Sequence, residues 1–230
     1  MEKSYVAENL AGVRGRIADA CARAGRNASE VKLVGVTKTV PAERIREAIE
    51  AGLEIIGENY IQEAKSKREA LAGLPVAWHF IGHLQSNKVK TALECCDLIQ
   101  TVDRESLALE LDRRAAGLGR KIPVLIQINI GEEETKSGTG EAQAASLLTF
   151  CRGLDRLDVR GLMALPPFFD QPERVRPYFR RMRQLLDTLK NEAPGLSELS
   201  MGMSGDFEVA IEEGATIVRV GTAIFGRRAA

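Results

Sequence analysis

A closed (β/α)8 barrel is the fold class this sequence predicts, on three observations. Eight short runs rich in Val, Ile and Leu alternate with helical patterns over about 200 residues of the chain, near the low end for such barrels. The clearest run is Val124-Leu125-Ile126-Gln127-Ile128-Asn129-Ile130, and the first, Val31 to Lys38, reads as apolar on both faces, which suits a parallel strand covered on either side. The rival with the same alternation, an open doubly wound sheet, calls for a G-x-G-x-x-G turn after its first strand, where this chain has Thr37-Lys38-Thr39-Val40-Pro41.

The elements follow in order. Val6 to Ala24 carries an apolar stripe at Val6, Leu10, Val13, Ile17, Ala20 and Cys21, a helix ended by Gly25 and placed ahead of the barrel. The turn Asn27-Ala28-Ser29 leads into strand one, and Pro41 opens a helix from Ala42 to Ala51, capped by Gly52. Leu53 to Gly57, Trp78 to Gly82, Asp97 to Val102 and Pro123 to Ile130 are the next four strands, separated by helices through Leu71, over Ser86 to Leu93 and over Glu105 to Ala116. A helix from Ala142 to Leu154 precedes strand six, Leu157 to Leu162, and a long one from Arg174 to Asn191 precedes strand seven, Leu199 to Met201. Phe207 to Glu213, capped by Gly214, leads to strand eight, Thr216 to Val220, and a short tail. Neither a linker nor a low-complexity segment interrupts residues 1–230, so a single domain is expected.

Composition narrows the partners. With 32 basic and 32 acidic residues the formal net charge is zero, which gives no bulk attraction to nucleic acid or to an anionic membrane. Cys21, Cys95, Cys96 and Cys151 show no C-x-x-C spacing and read as reduced thiols. The start Met1-Glu2-Lys3-Ser4 and the polar helix after it contain no long apolar run, so neither a signal peptide nor a membrane span is expected, and the location expected is cytoplasmic.

The chemistry should lie where barrel strands end. Lys38 ends strand one; its ordinary reading is a lysine that snorkels to water, its functional reading an amine for covalent work. Strand seven runs into Met201-Gly202-Met203-Ser204-Gly205-Asp206 and a helix, and strand eight into Gly221-Thr222 and a short helix. Each turn alone is a plain cap; together they form a cradle for an anion, with hydroxyls, backbone N–H groups and helix N-termini. Strands one, seven and eight are neighbours once a barrel closes. A lysine amine beside an anion cradle suits pyridoxal phosphate, whose aldehyde condenses with the amine while its phosphate sits on backbone donors. Arg219, just before the cradle, is either an ion-paired barrel arginine or a group aimed at the pyridine nitrogen.

At this point Val34-Gly35-Val36-Thr37-Lys38, Gly57-Glu58-Asn59-Tyr60-Ile61-Gln62-Glu63, Trp78-His79-Phe80-Ile81-Gly82-His83-Leu84-Gln85-Ser86-Asn87-Lys88, Gly161-Leu162-Met163, and Leu199 to Phe207 through Val218 to Gly226 come together. In that order they resemble the pyridoxal phosphate homeostasis proteins, the YggS or proline synthase co-transcribed homologues, over about residues 30–228. The resemblance implies a fold type III barrel similar to the N-terminal domain of alanine racemase, with pyridoxal 5'-phosphate as cofactor and Lys38 as its Schiff-base residue. It further implies phosphate contacts from Ser204, Gly221 and Thr222, Arg219 near the pyridine nitrogen, and Asn59, His83 and Met163 lining the site. The function implied is vitamin B6 homeostasis without strong catalytic turnover, with pyridoxal phosphate-dependent apoenzymes as candidate partners and a monomeric state. A racemase or decarboxylase is the alternative. The chain departs from the family pattern at Tyr60, where an arginine is common, and at Ala164-Leu165-Pro166-Pro167, where a Thr-containing loop is usual.

Three further features read as ordinary. His79 and His83 form an H-x-x-x-H, but His79 falls on a strand and no Glu follows it, so a core or rim histidine is expected rather than a zinc ligand. Lys136 is expected to be a solvated loop lysine. Arg174, Arg176, Arg180, Arg181 and Arg183 make a basic helix face, the best surface candidate for an anion or a partner.

Overall fold

The computed structural model describes residues 5–133 and 136–226; the opening segment Met1 to Ser4, read above for leader character, lies outside the described residues. The eight strands are β1 (Lys32–Val36), β2 (Ile55–Glu58), β3 (Ala77–Phe80), β4 (Leu98–Val102), β5 (Ile122–Ile128), β6 (Leu157–Ala164), β7 (Glu198–Ser200) and β8 (Ile217–Val220). All neighbouring pairs are parallel, and β1 pairs with β8 in the register Lys32↔Ile217 to Gly35↔Val220, which closes the barrel. Closure leaves no strand edge open to another chain.

Outside run α1 (Tyr5–Arg23), α2 (Ala42–Glu50), α3 (Ile61–Ala70), α4 (Val89–Cys95), α5 (Glu105–Gly117), α6 (Ala144–Arg152), α7 (Arg176–Lys190), α8 (Phe207–Glu212) and α9 (Thr222–Phe225). Helix starts differ from the sequence pattern where a 3-10 turn comes first, at Ser86–Lys88, Glu141–Gln143 and Pro172–Val175. Apolar periodicity does not distinguish a 3-10 turn from the first turn of an α-helix.

The role of α1 follows from the shortness of the last helices. α8 has six residues and α9 four, too little to cover β8 and β1, and the 19-residue α1 packs against α2, α8 and α9 instead. Its Val6, Leu10, Val13 and Ile17 are buried, each stabilising by about 1.5–3 kcal/mol. The ion pairs Arg16–Glu208 and Arg23–Glu212 that also join α1 to α8 are partly exposed and contribute about 0–1 kcal/mol each. Burial therefore docks the helix, and the ion pairs orient it.

The main core lies between strands and helices, while a second, smaller cluster of Val34, Leu98, Leu125, Met163 and Ile217 fills the barrel itself. The four cysteines are buried free thiols. Among the described residues no helix is long and apolar enough to cross a membrane.

Candidate functional site

At the carboxyl ends of β7 and β8 two loops are joined through one atom. The Ser204 Oγ accepts the backbone N–H of Gly221 at 3.2 Å and of Ala223 at 3.4 Å. With the oxygen's lone pairs so used, its own hydrogen remains to donate. The Asp206 Oδ1 accepts the N–H of Met203 at 2.6 Å and closes the β7 loop on itself. Burial raises the pKa of that carboxyl, against the Met203 N–H and the Arg219 charge. The sequence reading gave this cradle helix N-termini, but α8 and α9 are too short to carry much of a dipole. What the loops offer is local: a hydroxyl and main-chain amides.

Beneath them lies Arg219, 2 % exposed. Its bonds go to a hydroxyl and a carbonyl, Nη1 to Ser200 Oγ at 2.5 Å and Nη2 to Ala164 O at 2.8 Å, so neither an ion-paired arginine nor a free one is found. Ser200 in turn donates to Gln100 Oε1 at 2.6 Å, and Gln100 Nε2 faces His79 Nδ1 at 2.9 Å. Every donor in this relay points away from Arg219, which fixes His79 Nδ1 as an acceptor and the ring as neutral. Burial first, and the Lys32 charge next, hold the His79 pKa down to about 4. Burial also lowers the pKa of Arg219, to about 10, with the Asp206 carboxylate opposing it. His79 is thus a satisfied core histidine, as expected.

β1 ends at Val36, two residues earlier than Lys38, because the chain there turns: Val40 N–H bonds Thr37 O at 2.9 Å, and Thr39 adopts a φ of 63°. A charged cluster surrounds this turn. Lys67 on α3 donates to Thr37 O at 2.6 Å, to Glu58 Oε1 at 2.8 Å and to Glu63 Oε2 at 2.7 Å. Thr37 Oγ1 also donates to Glu58 Oε1, at 2.6 Å, and Thr39 N–H to Glu63 Oε2, at 2.8 Å. Burial raises the pKa of Glu58 despite the Lys67 and Thr37 hydrogen bonds. At Glu63 burial acts in the same direction, but the bonds from Lys67 and Thr39 outweigh it and the pKa is lowered.

Lys38, Asn59, Ser204, Arg219, Gly221 and Thr222 line one cavity of about 350 Å³, with Val36, Ile81, Leu165, Phe168, Phe169 and Met203 as its apolar walls. The buried Asn59 Oδ1 has no hydrogen-bond partner within the protein, which makes it an acceptor for a donor on a bound molecule. His83 and Met163 stand elsewhere. His83 lines a neighbouring cavity with Tyr60 and Lys88 and meets Ser137 Oγ at 3.0 Å. Met163 is fully buried in the barrel filling.

Two surface expectations need correction. Lys136 is not a solvated loop lysine: its Nζ donates to Pro166 O at 3.0 Å and pairs with Glu133 at 2.6 Å, so it ties two loops together. The basic face of α7 is largely neutralised, Arg176 by Glu173, Glu212 and Glu213, Arg180 by Glu213, Arg181 by Glu141 and Arg183 by Asp187. Arg174, in the turn before α7, lies over the Phe169 ring at 5.1 Å.

Sequence reasoning assigned no role to Glu58, Glu63, Lys67, Gln100 or Ser200. The one available signal was the i,i+4 spacing of Glu63 and Lys67, which normally marks a solvated helix face.

Comparison with known proteins places this geometry. The family described as alanine racemase, N-terminal domain, matches residues 11–229. A pyridoxal phosphate homeostasis protein of Aquifex aeolicus is 50% identical over 222 residues, which are 96% of this chain and 97% of that one. The solved structure of PipY from Synechococcus elongatus with PLP bound superimposes with a TM-score of 0.84 at 38% identity, over 96% of this chain and 100% of that one. An alanine racemase of Clostridium difficile shares the fold, with a TM-score of 0.76 at 15% identity over 97% of this chain and 58% of that one.

Proposed function

The chain belongs to the pyridoxal phosphate homeostasis protein family, and from that membership we propose that it holds pyridoxal 5'-phosphate on Lys38 for vitamin B6 homeostasis. One observation carries the reading: a lysine amine from the end of β1 and a hydroxyl-and-amide cradle from the ends of β7 and β8 line one cavity. Its donor set fits the cofactor. A phosphate needs donors and finds the Ser204 hydroxyl and the loop amide at Thr222, with the Gly221 N–H already holding Ser204 Oγ in place; a ring hydroxyl needs an acceptor and finds Asn59 Oδ1. When bound, pyridoxal phosphate supplies an aldehyde that an amine captures with loss of one water.

Each residue then has a task. Ser204 donates its remaining hydrogen to the phosphate, while Gly221 and Thr222 bring main chain against it. Arg219, pinned by Ser200 and Ala164 and protonated at neutral pH, would hold a donor towards the pyridine nitrogen and so disfavour a proton there. Such an arrangement would weaken the ring as an electron sink. Leu165, Phe168 and Phe169 line the cavity with apolar surface.

The arrangement of the tyrosines supports a carrier over a racemase or decarboxylase. A racemase needs a second acid–base group across the cavity from Lys38. Tyr5 donates to Phe225 O on the outer surface, Tyr178 packs on Phe169 with ring centroids 5.8 Å apart, and Tyr60 lines the neighbouring cavity. The four free thiols fit the cytoplasm, and we take the protein to act as a monomer that exchanges cofactor with pyridoxal phosphate-dependent apoenzymes. The visible spectrum tests the central point: added pyridoxal phosphate should give the absorbance band of a lysine-bound aldehyde, and a protein indifferent to the added compound refutes it.

A further inference from the structure

We infer that Lys67 is a positioning residue for Lys38, clamping the turn that carries it from both sides; the inference rests on the reading of Lys38 given above. An ammonium has three hydrogens, and all three are used: on the Thr37 carbonyl, on Glu58 and on Glu63. The residue before Lys38 is held directly, through Thr37 O, and again through its hydroxyl on Glu58. The residue after it is held through Glu63, which accepts the Thr39 N–H. The turn after β1, the end of β2 and α3 thus meet at one nitrogen.

Two observations separate this from ordinary structural bonding. Thr39 has a φ of 63°, a conformation that a β-branched side chain rarely adopts, and its N–H is bonded to a carboxylate on another element rather than within the turn. The cluster is also buried, with Glu58 0% and Lys67 9% exposed, and one Glu58 oxygen has no partner. A buried ion set of this kind is at best neutral for stability relative to apolar packing. Its product is geometry: the direction in which Lys38 leaves the backbone.

The test separates aim from affinity. In the cofactor-free wild type the Thr39 amide should exchange slowly with solvent, and in Lys67→Met at least about tenfold faster, with β5 and β6 amides unchanged. Pyridoxal 5'-phosphate, followed by absorbance, should link to Lys67→Met about tenfold more slowly than to wild type. Pyridoxine 5'-phosphate, which carries an alcohol in place of the aldehyde and cannot link, should bind within about twofold of wild type. Should Lys67→Met not fold, Glu63→Ala at the partly exposed end of the cluster should give the same split, and Glu63→Gln, which keeps an acceptor for Thr39, should recover most of the rate. Equal losses for both ligands, or no loss for either, overturn the proposal. A wild type that binds the alcohol but never links the aldehyde refutes the role of Lys38 instead, and the Thr39 exchange comparison then decides on the clamp alone.

Discussion

Where β7 and β8 end, two loops meet through a single hydroxyl and two main-chain N–H groups. Where β1 and β2 end, a buried ammonium is shared by two carboxylates and a carbonyl. Neutral hydrogen bonds are inexpensive to bury and leave their remaining donors for an anion. Buried charges carry a desolvation cost that their attraction roughly offsets, so they add rigidity more than stability. On the proposed reading, one flank of the cavity receives a charge and the other aims a nucleophile.

The contrast predicts unequal responses, the largest at the aimed group. Lys38→Ala should remove the absorbance band completely while leaving the melting temperature near that of wild type; a persisting band would assign the cofactor to another lysine. Next comes backbone rigidity. At Gly82 an added Cβ would overlap the Asn59 main chain, which cannot yield, whereas at Gly221 it would sit 3.3 Å from Val36 O. Gly82→Ala should therefore lose about 3 kcal/mol or more in urea unfolding, and Gly221→Ala about 1 kcal/mol or less. Equal losses would show that the two flanks do not differ in stiffness.

The relay under Arg219 gives a pH signature. His79 is held neutral with a folded pKa of about 4, against about 6.5 unfolded. Between those values the unfolded chain binds the extra proton, so stability is intact above about pH 6.5 and falls as pH drops towards 4, by an amount on the order of 3 kcal/mol. His79→Gln, whose carbonyl still accepts from Gln100, should flatten that part of the curve; an unchanged wild-type minus variant difference across the window would mean that the ring takes its proton without penalty. The most local effect is expected at Ser204→Ala, which removes one donor worth about 1–3 kcal/mol and should speed cofactor release while linkage to Lys38 still forms. An unchanged release rate would place the phosphate elsewhere.

What the sequence disclosed follows the same division. The receiving flank is written in two short contiguous stretches, Met201 to Asp206 and Arg219 to Thr222, whose hydroxyl and amides meet each other across one helix and one strand. The aiming flank joins Thr37, Glu58, Glu63 and Lys67, and nothing in the spacing of Glu63 and Lys67 distinguishes a buried clamp from a wet i,i+4 pair. Strand order was readable from alternation; the end of β1 was not, since the turn after Val36 places Thr39, with no glycine to announce it, in the left-handed region. The same limit explains Lys136 and α7, whose partners Pro166, Glu141, Glu212 and Glu213 lie far along the chain.

Pairing of β1 with β8 has a temporal consequence. During synthesis the lysine turn leaves the ribosome well before the loops after β7 and β8, so all eight strands must emerge before the cavity exists at all. Sealing the ring between its two most distant staves is a long-range, slow step. If the vitamer is held at both places as proposed, a nascent chain cannot retain it, and capture becomes a report that the barrel has shut.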